Sequence, residues 1–218
     1  MKKFLKLTTV VVSMVMALTF VSCANGNENG QLNFVGTYGV SKVEIYQKNS
    51  KVESSITATM PTSTSIRKYG TKKVTNGETT TVMEMDYTVT KIANRYSFNW
   101  AKYTVDGQAA SEDAKTQQEK LFDDNTWNDS TAPFAITYTT TADGTWSNNS
   151  EPESSGTYTV DEANSKVTII TKIDGGVLRE PPLIEEGTYS DKGKTFVIVK
   201  DFSSGEMTNK MTMTFTRK

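Results

Sequence analysis

The chain has no histidine and one cysteine among its 218 residues. Histidine is the side chain most used for proton transfer near neutral pH and the commonest zinc ligand, so its absence argues against most hydrolase designs. The single cysteine, Cys23, excludes a disulfide within the chain and any site built from several thiolates. No activated nucleophile or acid/base pair can be assembled from the other residues. We therefore expect no metal, no cofactor and no enzymatic activity.

Strong net charge is also missing. The formal net charge is −1 and charged residues make up 22% of the chain, so neither a polyanion nor a strongly anionic surface is an expected partner, and nucleic acid is not expected. The apolar run from Leu7 to Phe20 is too short to span a bilayer as a helix. It follows Lys2, Lys3 and Lys6, and the whole pattern predicts a secretory signal peptide over residues 1–22.

The end of the signal is Phe20-Val21-Ser22-Cys23, which resembles the lipobox of bacterial lipoproteins. In that family a small residue precedes the cysteine that receives diacylglycerol and becomes the new N-terminus. The resemblance implies lipidation of Cys23, a membrane partner through that lipid, and a protein held at the cell envelope. The alternative is an ordinary secreted protein with an incidental cysteine. Residues 23–31 are rich in Gly and Asn and predict a flexible tether. In some bacteria an aspartate directly after the lipidated cysteine resembles an inner-membrane retention signal. This chain has Ala24 at that position, which favours the outer membrane.

The remaining residues, 32–218, predict one all-β domain. They are rich in Thr, Val and Tyr, poor in Leu, and broken by turn signals at short intervals, as is typical of antiparallel sheets. In the stretch from Gly156 to Thr171, apolar residues alternate with polar ones, a polar turn follows, and the apolar residues then resume, which indicates a β-hairpin. Gly187 to Lys200 indicates a second hairpin. Two hairpins in tandem predict a meander.

A change of alternation in the first strand, Phe34 to Gln47, predicts a bulge or bend. Tyr38 and Val40 share one parity, whereas Val43 and Ile45 share the other. Long strands with such bends let small barrels curve closed.

Three segments between the strands call for separate interpretations. Ser111 to Phe122 predicts one short helix, capped by Ser111. Asp123 to Asp129 is interpreted as a polar loop; calcium binding is the alternative, although the spacing does not match an EF-hand. Thr62 to Gly77 carries four basic residues and is interpreted as a mobile, solvated basic loop, with contact to lipid headgroups or an anionic ligand as the alternative.

Two motifs at the ends of the domain resemble the lipocalins. Gly36-Thr37-Tyr38 lies where lipocalins carry Gly-x-Trp, and Arg217 matches the arginine that packs across that aromatic residue. The motifs from residue 136 onward look like the lipocalin-like lipoproteins of Bacteroidetes-type bacteria. The resemblance implies an antiparallel up-and-down meander barrel of about eight to ten strands with one short helix, closed by Tyr38 and Arg217. A β-sandwich built from the same strands is the alternative.

The resemblance also implies a cup for a small apolar ligand. Candidate lining residues are methionines and aromatics, which suit adaptable apolar pockets; they are Met83, Met85, Tyr87, Tyr96, Phe98, Trp100, Met211 and Met213. Such residues can equally serve only to fill a barrel. The alternative function is a surface module that binds a protein or glycan partner through exposed loops carrying Trp127 and Trp146. An open cavity would favour the cup, and a packed interior with an exposed aromatic patch would favour the surface module.

Overall fold

The computed structural model describes residues 33–218, which form strands for most of their length. The predicted signal peptide, the lipidation site at Cys23 and the tether lie outside these residues. The strands and helices, in chain order, are β1 Gly36–Lys48, β2 Val52–Thr62, β3 Ser65–Asn76, β4 Thr79–Ile92, β5 Arg95–Val105, β6 Gln108–Ala109, α1 Glu112–Lys120, α2 Asp124–Ala135, β7 Thr137–Thr140, β8 Thr145–Asn148, β9 Ser155–Asp161, β10 Lys166–Asp174, β11 Val177–Ser190, β12 Thr195–Asp201 and β13 Thr208–Arg217. One 3-10 turn, Asp191–Gly193, joins β11 to β12.

Eight of the strands close into an antiparallel barrel. Around the barrel, β1 is followed by β7 through β13, and β13 pairs with β1 to complete the ring. This closure excludes the sandwich, whose strands would be divided between two facing sheets. The predicted all-β meander barrel is therefore confirmed. Both predicted hairpins are present, as β9 with β10 and β11 with β12.

Strand β1 changes its neighbour part-way along its length. Residues Gly36 to Gly39 pair with β7, Lys42 to Lys48 pair with β2, and β13 pairs with both parts. A register shift between Val40 and Lys42 confirms the bulge that the change of alternation predicted. Beyond the bulge, strands β2 to β6 continue as an antiparallel meander outside the barrel. We call this second sheet the wing.

The two helices cover one face of the wing. Helix α1 begins as predicted, with the Ser111 side chain accepting a hydrogen bond from the amide of Ala114. Trp127 of α2 is buried against Ile66 of β3 and Val89 of β4, which gives the wing a core of its own. Neither helix in residues 33–218 combines the length and apolar character needed to cross a membrane.

The segment predicted to be a basic loop, Thr62 to Gly77, instead contains the whole of β3. That interpretation was wrong because the basic residues lie within a strand that pairs with β2 on one side and β4 on the other. Arg67 forms a bidentate ion pair with Asp86 of β4, with N to O distances of 2.9 and 2.7 Å. Cross-strand charge pairing therefore offsets the run of positive charge that suggested a loop.

The polar loop predicted at Asp123 to Asp129 was also wrong, because most of it forms the first turns of α2. The Asp123 side chain accepts a hydrogen bond from the amide of Thr126 at 2.8 Å, which caps the helix. Trp127 then fixes the helix to the wing by burying its ring. The carboxylates and amides that suggested a calcium loop are the cap and the exposed face of a helix.

Candidate functional site

One end of the barrel is closed by a contact between Tyr38 and Arg217. Tyr38 is fully buried, and its hydroxyl donates to the carbonyl oxygen of Gly193 at 2.6 Å. The Arg217 guanidinium lies 5.5 Å from the centroid of the Tyr38 ring; its Nη2 donates to the Tyr38 hydroxyl at 3.0 Å and also to the carbonyl oxygen of Asn33. Burial raises the pKa of Tyr38, and the neighbouring Arg217 partly opposes that rise. The contact predicted from the sequence is present.

The segment before β1 completes this seal. The Asn33 amide donates to the carbonyl oxygen of Lys192 at 3.1 Å, and the Phe34 ring is buried with its centroid 5.0 Å from that of Tyr189. Gly193 is required at the contact because its φ is +85° and a Cβ would lie 2.5 Å from the Asn33 carbonyl oxygen. This end of the barrel is therefore closed by side chains and by the segment before β1.

Replacing Arg217 with methionine is expected to lower the free energy of unfolding by about 2 kcal/mol. The substitution removes the cation–π contact and two hydrogen bonds while retaining much of the apolar stem. Urea unfolding followed by circular dichroism measures the change. The control is Arg179→Met, which breaks only an exposed ion pair with Asp174 and should cost less than about 1 kcal/mol. Equal effects for the two variants would contradict a sealing role for Arg217.

The barrel encloses a cavity of about 390 Å³. Its walls are mainly apolar side chains from β8, β10, β12 and β13, among them Trp146, Ile169, Phe196, Ile198, Met213 and Phe215. The cavity reaches the end opposite Tyr38, where the exposed Pro152 and Leu183 belong to its lining. It is therefore a cup, sealed at one end and open to solvent at the other.

The open end of the cavity is polar. The Nζ of Lys200 on β12 lies 2.9 Å from the Oε1 of Glu185 on β11, and the side chains are 30% and 15% exposed. Tyr138 of β7 also lines the cavity, together with Asn148 and the charged residues Lys200, Glu185 and Asp174. Burial is the main reason that the pKa of Tyr138 is raised, while Lys200 opposes the rise. The cavity therefore has apolar walls and a hydrogen-bonding mouth.

Two of the eight predicted lining residues belong to the barrel. Met213 of β13 lines the cavity, and Met211 of the same strand packs against the barrel core. The remaining six lie on β4 and β5 in the wing; they are Met83, Met85, Tyr87, Tyr96, Phe98 and Trp100. The expectation that these six face the barrel interior was wrong, because the chain leaves the barrel after β1 and returns only at β7.

Aromatic residues of that group instead hold the helices to the wing. The Trp100 Nε1 donates to the Oε1 of Glu119 in α1 at 2.8 Å. The Tyr96 ring lies 5.8 Å from that of Trp127 in α2, measured between centroids. The apolar alternation of β4 and β5 is thus explained by the wing's own core.

Neither tryptophan proposed for a binding surface is exposed. Trp127 of α2 is 7% exposed, with its side chain packed against the wing, and Trp146 is 5% exposed on the inner face of β8. Among the described residues, the Trp146 indole N–H has no hydrogen-bond acceptor. The cavity lining therefore includes a side chain with an unpaired donor.

The polar residues at the mouth were not predicted as a site. Glu185 and Lys200 occupy inward positions of β11 and β12, and Tyr138 an inward position of β7. Strand alternation alone shows that neighbouring residues face opposite sides, but not which side is the barrel interior. Residues 33–218 contain no group of His, Cys, Asp and Glu side chains arranged to hold a metal ion.

Comparisons with protein-family models, with curated proteins and with solved structures find no match for this chain.

Proposed function

We propose that this is a non-enzymatic protein, lipid-anchored at the cell envelope, whose barrel holds a small and mostly apolar molecule. The observation that carries the proposal is the cavity of about 390 Å³ inside a barrel sealed at its other end. Ligand pockets commonly occupy roughly 300–1,000 Å³, whereas a small barrel that is only structural fills its interior with side chains.

Binding would be driven by burial of the ligand's apolar surface against the cavity walls. Each Å² of apolar surface removed from water contributes about 25 cal/mol. Hydrogen-bonding groups at the mouth, such as Tyr138 and Asn148, would orient the ligand. The buried state of Trp127 and Trp146 favours this cup over a surface module that uses exposed aromatic rings.

The envelope location rests on the sequence before the described residues. The lipobox-like end at Cys23 supports lipidation, and Ala24 supports an outer-membrane destination. The Gly- and Asn-rich residues 23–31 would then act as a flexible tether that holds the barrel away from the bilayer.

The cup is tested with the neutral fluorescent probe N-phenylnaphthylamine, whose emission rises in an apolar environment. We expect the wild-type protein to bind it, and Met213→Trp to weaken binding by about tenfold because the larger ring takes up cavity space. The matched control is Thr212→Trp, since Thr212 is the neighbouring residue on the outer face of β13 and its variant should bind as the wild type does.

Native mass spectrometry of the protein, purified without delipidation, provides a second measurement. A retained small molecule in the wild type that is lost in Met213→Trp would support the cup. If the wild type binds no probe and carries no molecule, or if both tryptophan variants bind equally well, the cavity is not a ligand site.

A further inference from the structure

The charges at the cavity mouth are already paired. The lining includes three charged residues, Asp174, Glu185 and Lys200. Glu185 pairs with Lys200 at 2.9 Å, and Asp174 pairs with Arg179 at 2.6 Å. No charged group of this lining is left to serve as the counter-ion of a charged ligand.

The Glu185–Lys200 pair belongs to the barrel interior. Glu185 is 15% exposed, whereas its neighbour Glu186 is 70% exposed on the outer face of β11. Ile169, which pairs with Glu185 across β10 and β11, is also buried against the cavity. The pair is therefore positioned to meet the polar end of a bound molecule.

A charged ligand would disturb this arrangement. A carboxylate that approaches Lys200 would also approach Glu185, and an ammonium that approaches Glu185 would also approach Lys200. Bringing an uncompensated charge into a largely buried site is costly, because the ion loses water without gaining a free partner. An uncharged hydroxyl needs only hydrogen bonds, which the Tyr138 hydroxyl and the Asn148 amide can supply.

Backbone hydrogen bonds do not join β11 to β12 at the level of Glu185 and Lys200. The pairing of β11 with β12 ends at Gly187 and Ile198, before the chain reaches the level of Glu185 and Lys200. Side chains rather than ladder hydrogen bonds therefore join the two strands at the mouth. The local polarity can be changed by substitution without removing a backbone hydrogen bond.

We propose that the cup selects a neutral amphiphile, with an apolar tail and an uncharged hydroxyl head, over a carboxylate or an amine of the same chain length. The Glu185–Lys200 pair sets this preference by leaving neither charge free. This inference rests on the proposed function, since it names the ligand class of the same cavity.

The test compares decanol, decanoate and decylamine as competitors of N-phenylnaphthylamine on the full chain. Wild type should bind decanol at least about tenfold more tightly than the other two, given the cost of an uncompensated charge. Glu185→Gln frees Lys200 and should improve decanoate binding by about tenfold, and Lys200→Met frees Glu185 and should improve decylamine binding similarly. The control is Glu186→Gln, which changes the same charge on the outer face and should leave the order unchanged.

The possible outcomes separate the two proposals. If N-phenylnaphthylamine binds but decanoate competes as well as decanol, and Glu185→Gln does not change their ratio, the head-group inference fails while the cup remains. If Glu185→Gln lowers stability in urea without shifting the preference, the pair is a structural clamp and the inference also fails. If none of the four molecules binds to wild type or variants, the cup itself is wrong.

Discussion

Phe215→Ala is expected to lower the free energy of unfolding by about 3–5 kcal/mol. Phe215 is 1% exposed on β13, the strand that closes the barrel against β1. Its ring stacks on Phe196 with centroids 4.5 Å apart and meets Tyr138 edge-on at 5.1 Å. Truncation removes these contacts and enlarges the existing cavity, because Phe215 belongs to its lining.

Phe202→Ala is the matched control for that variant. It makes the same chemical change at a residue that is 54% exposed after β12, and it should cost less than about 1 kcal/mol. Urea unfolding of both variants, followed by circular dichroism, gives the comparison. A loss for Phe215→Ala no larger than that for Phe202→Ala would show that the interior of the barrel is not the source of its stability.

Cys23→Ala is expected to abolish attachment to the membrane. If the cysteine carries the lipid, its replacement removes the only thiol in the chain and with it the only site for diacylglycerol. The full chain is expressed in a bacterial host that processes lipoproteins and is fed an alkyne-tagged fatty acid. Wild type should carry the tag and sediment with membranes, whereas Cys23→Ala should lose the tag.

The control for lipidation moves the thiol instead of deleting it. Cys23→Ala combined with Ser63→Cys places a cysteine at an exposed position after β2, where no lipobox-like sequence precedes it. This variant should remain unlabelled. Labelling of Cys23→Ala itself, or equal labelling of the two cysteine positions, would contradict lipidation at Cys23.

The barrel was largely predictable from the sequence because its signals are local. The hairpins β9–β10 and β11–β12 follow from alternation and turn residues within short stretches. The bulge near Ser41 follows from the parity change between Val40 and Val43. The contact between Tyr38 and Arg217 joins the two ends of the domain, and the lipocalin resemblance supplied it.

The wing was not predictable, because the alternation of apolar and polar residues along a strand does not indicate which sheet the strand joins. Strands β4 and β5 alternate as clearly as the barrel strands do, yet their apolar face packs under α1 and α2. The departure from the barrel depends on β1 exchanging β7 for β2 beyond its bulge, which is a long-range choice of partner. Six of the eight ligand candidates were misplaced for this reason.

The polar mouth was missed because alternation does not show which charged strand residues face the barrel interior. Glu185 and Glu186 point to opposite faces of β11, as their 15% and 70% exposures show. Which of the two faces inward depends on the register with β10, where Glu185 lies opposite Ile169. Register of this kind is fixed by packing across the whole barrel.

The change of neighbour along β1 also affects how the protein avoids aggregation. In the barrel alone, β7 would cover only Gly36 to Gly39, and the stretch from Lys42 to Lys48 would be a bare strand edge. Bare edges recruit strands from other molecules, which leads to self-association. By pairing with that stretch, β2 covers a strand edge of the barrel that could otherwise recruit strands from other molecules. The bare edge is thereby moved outward to β5, where the two-residue β6 pairs only with Thr104 and Val105.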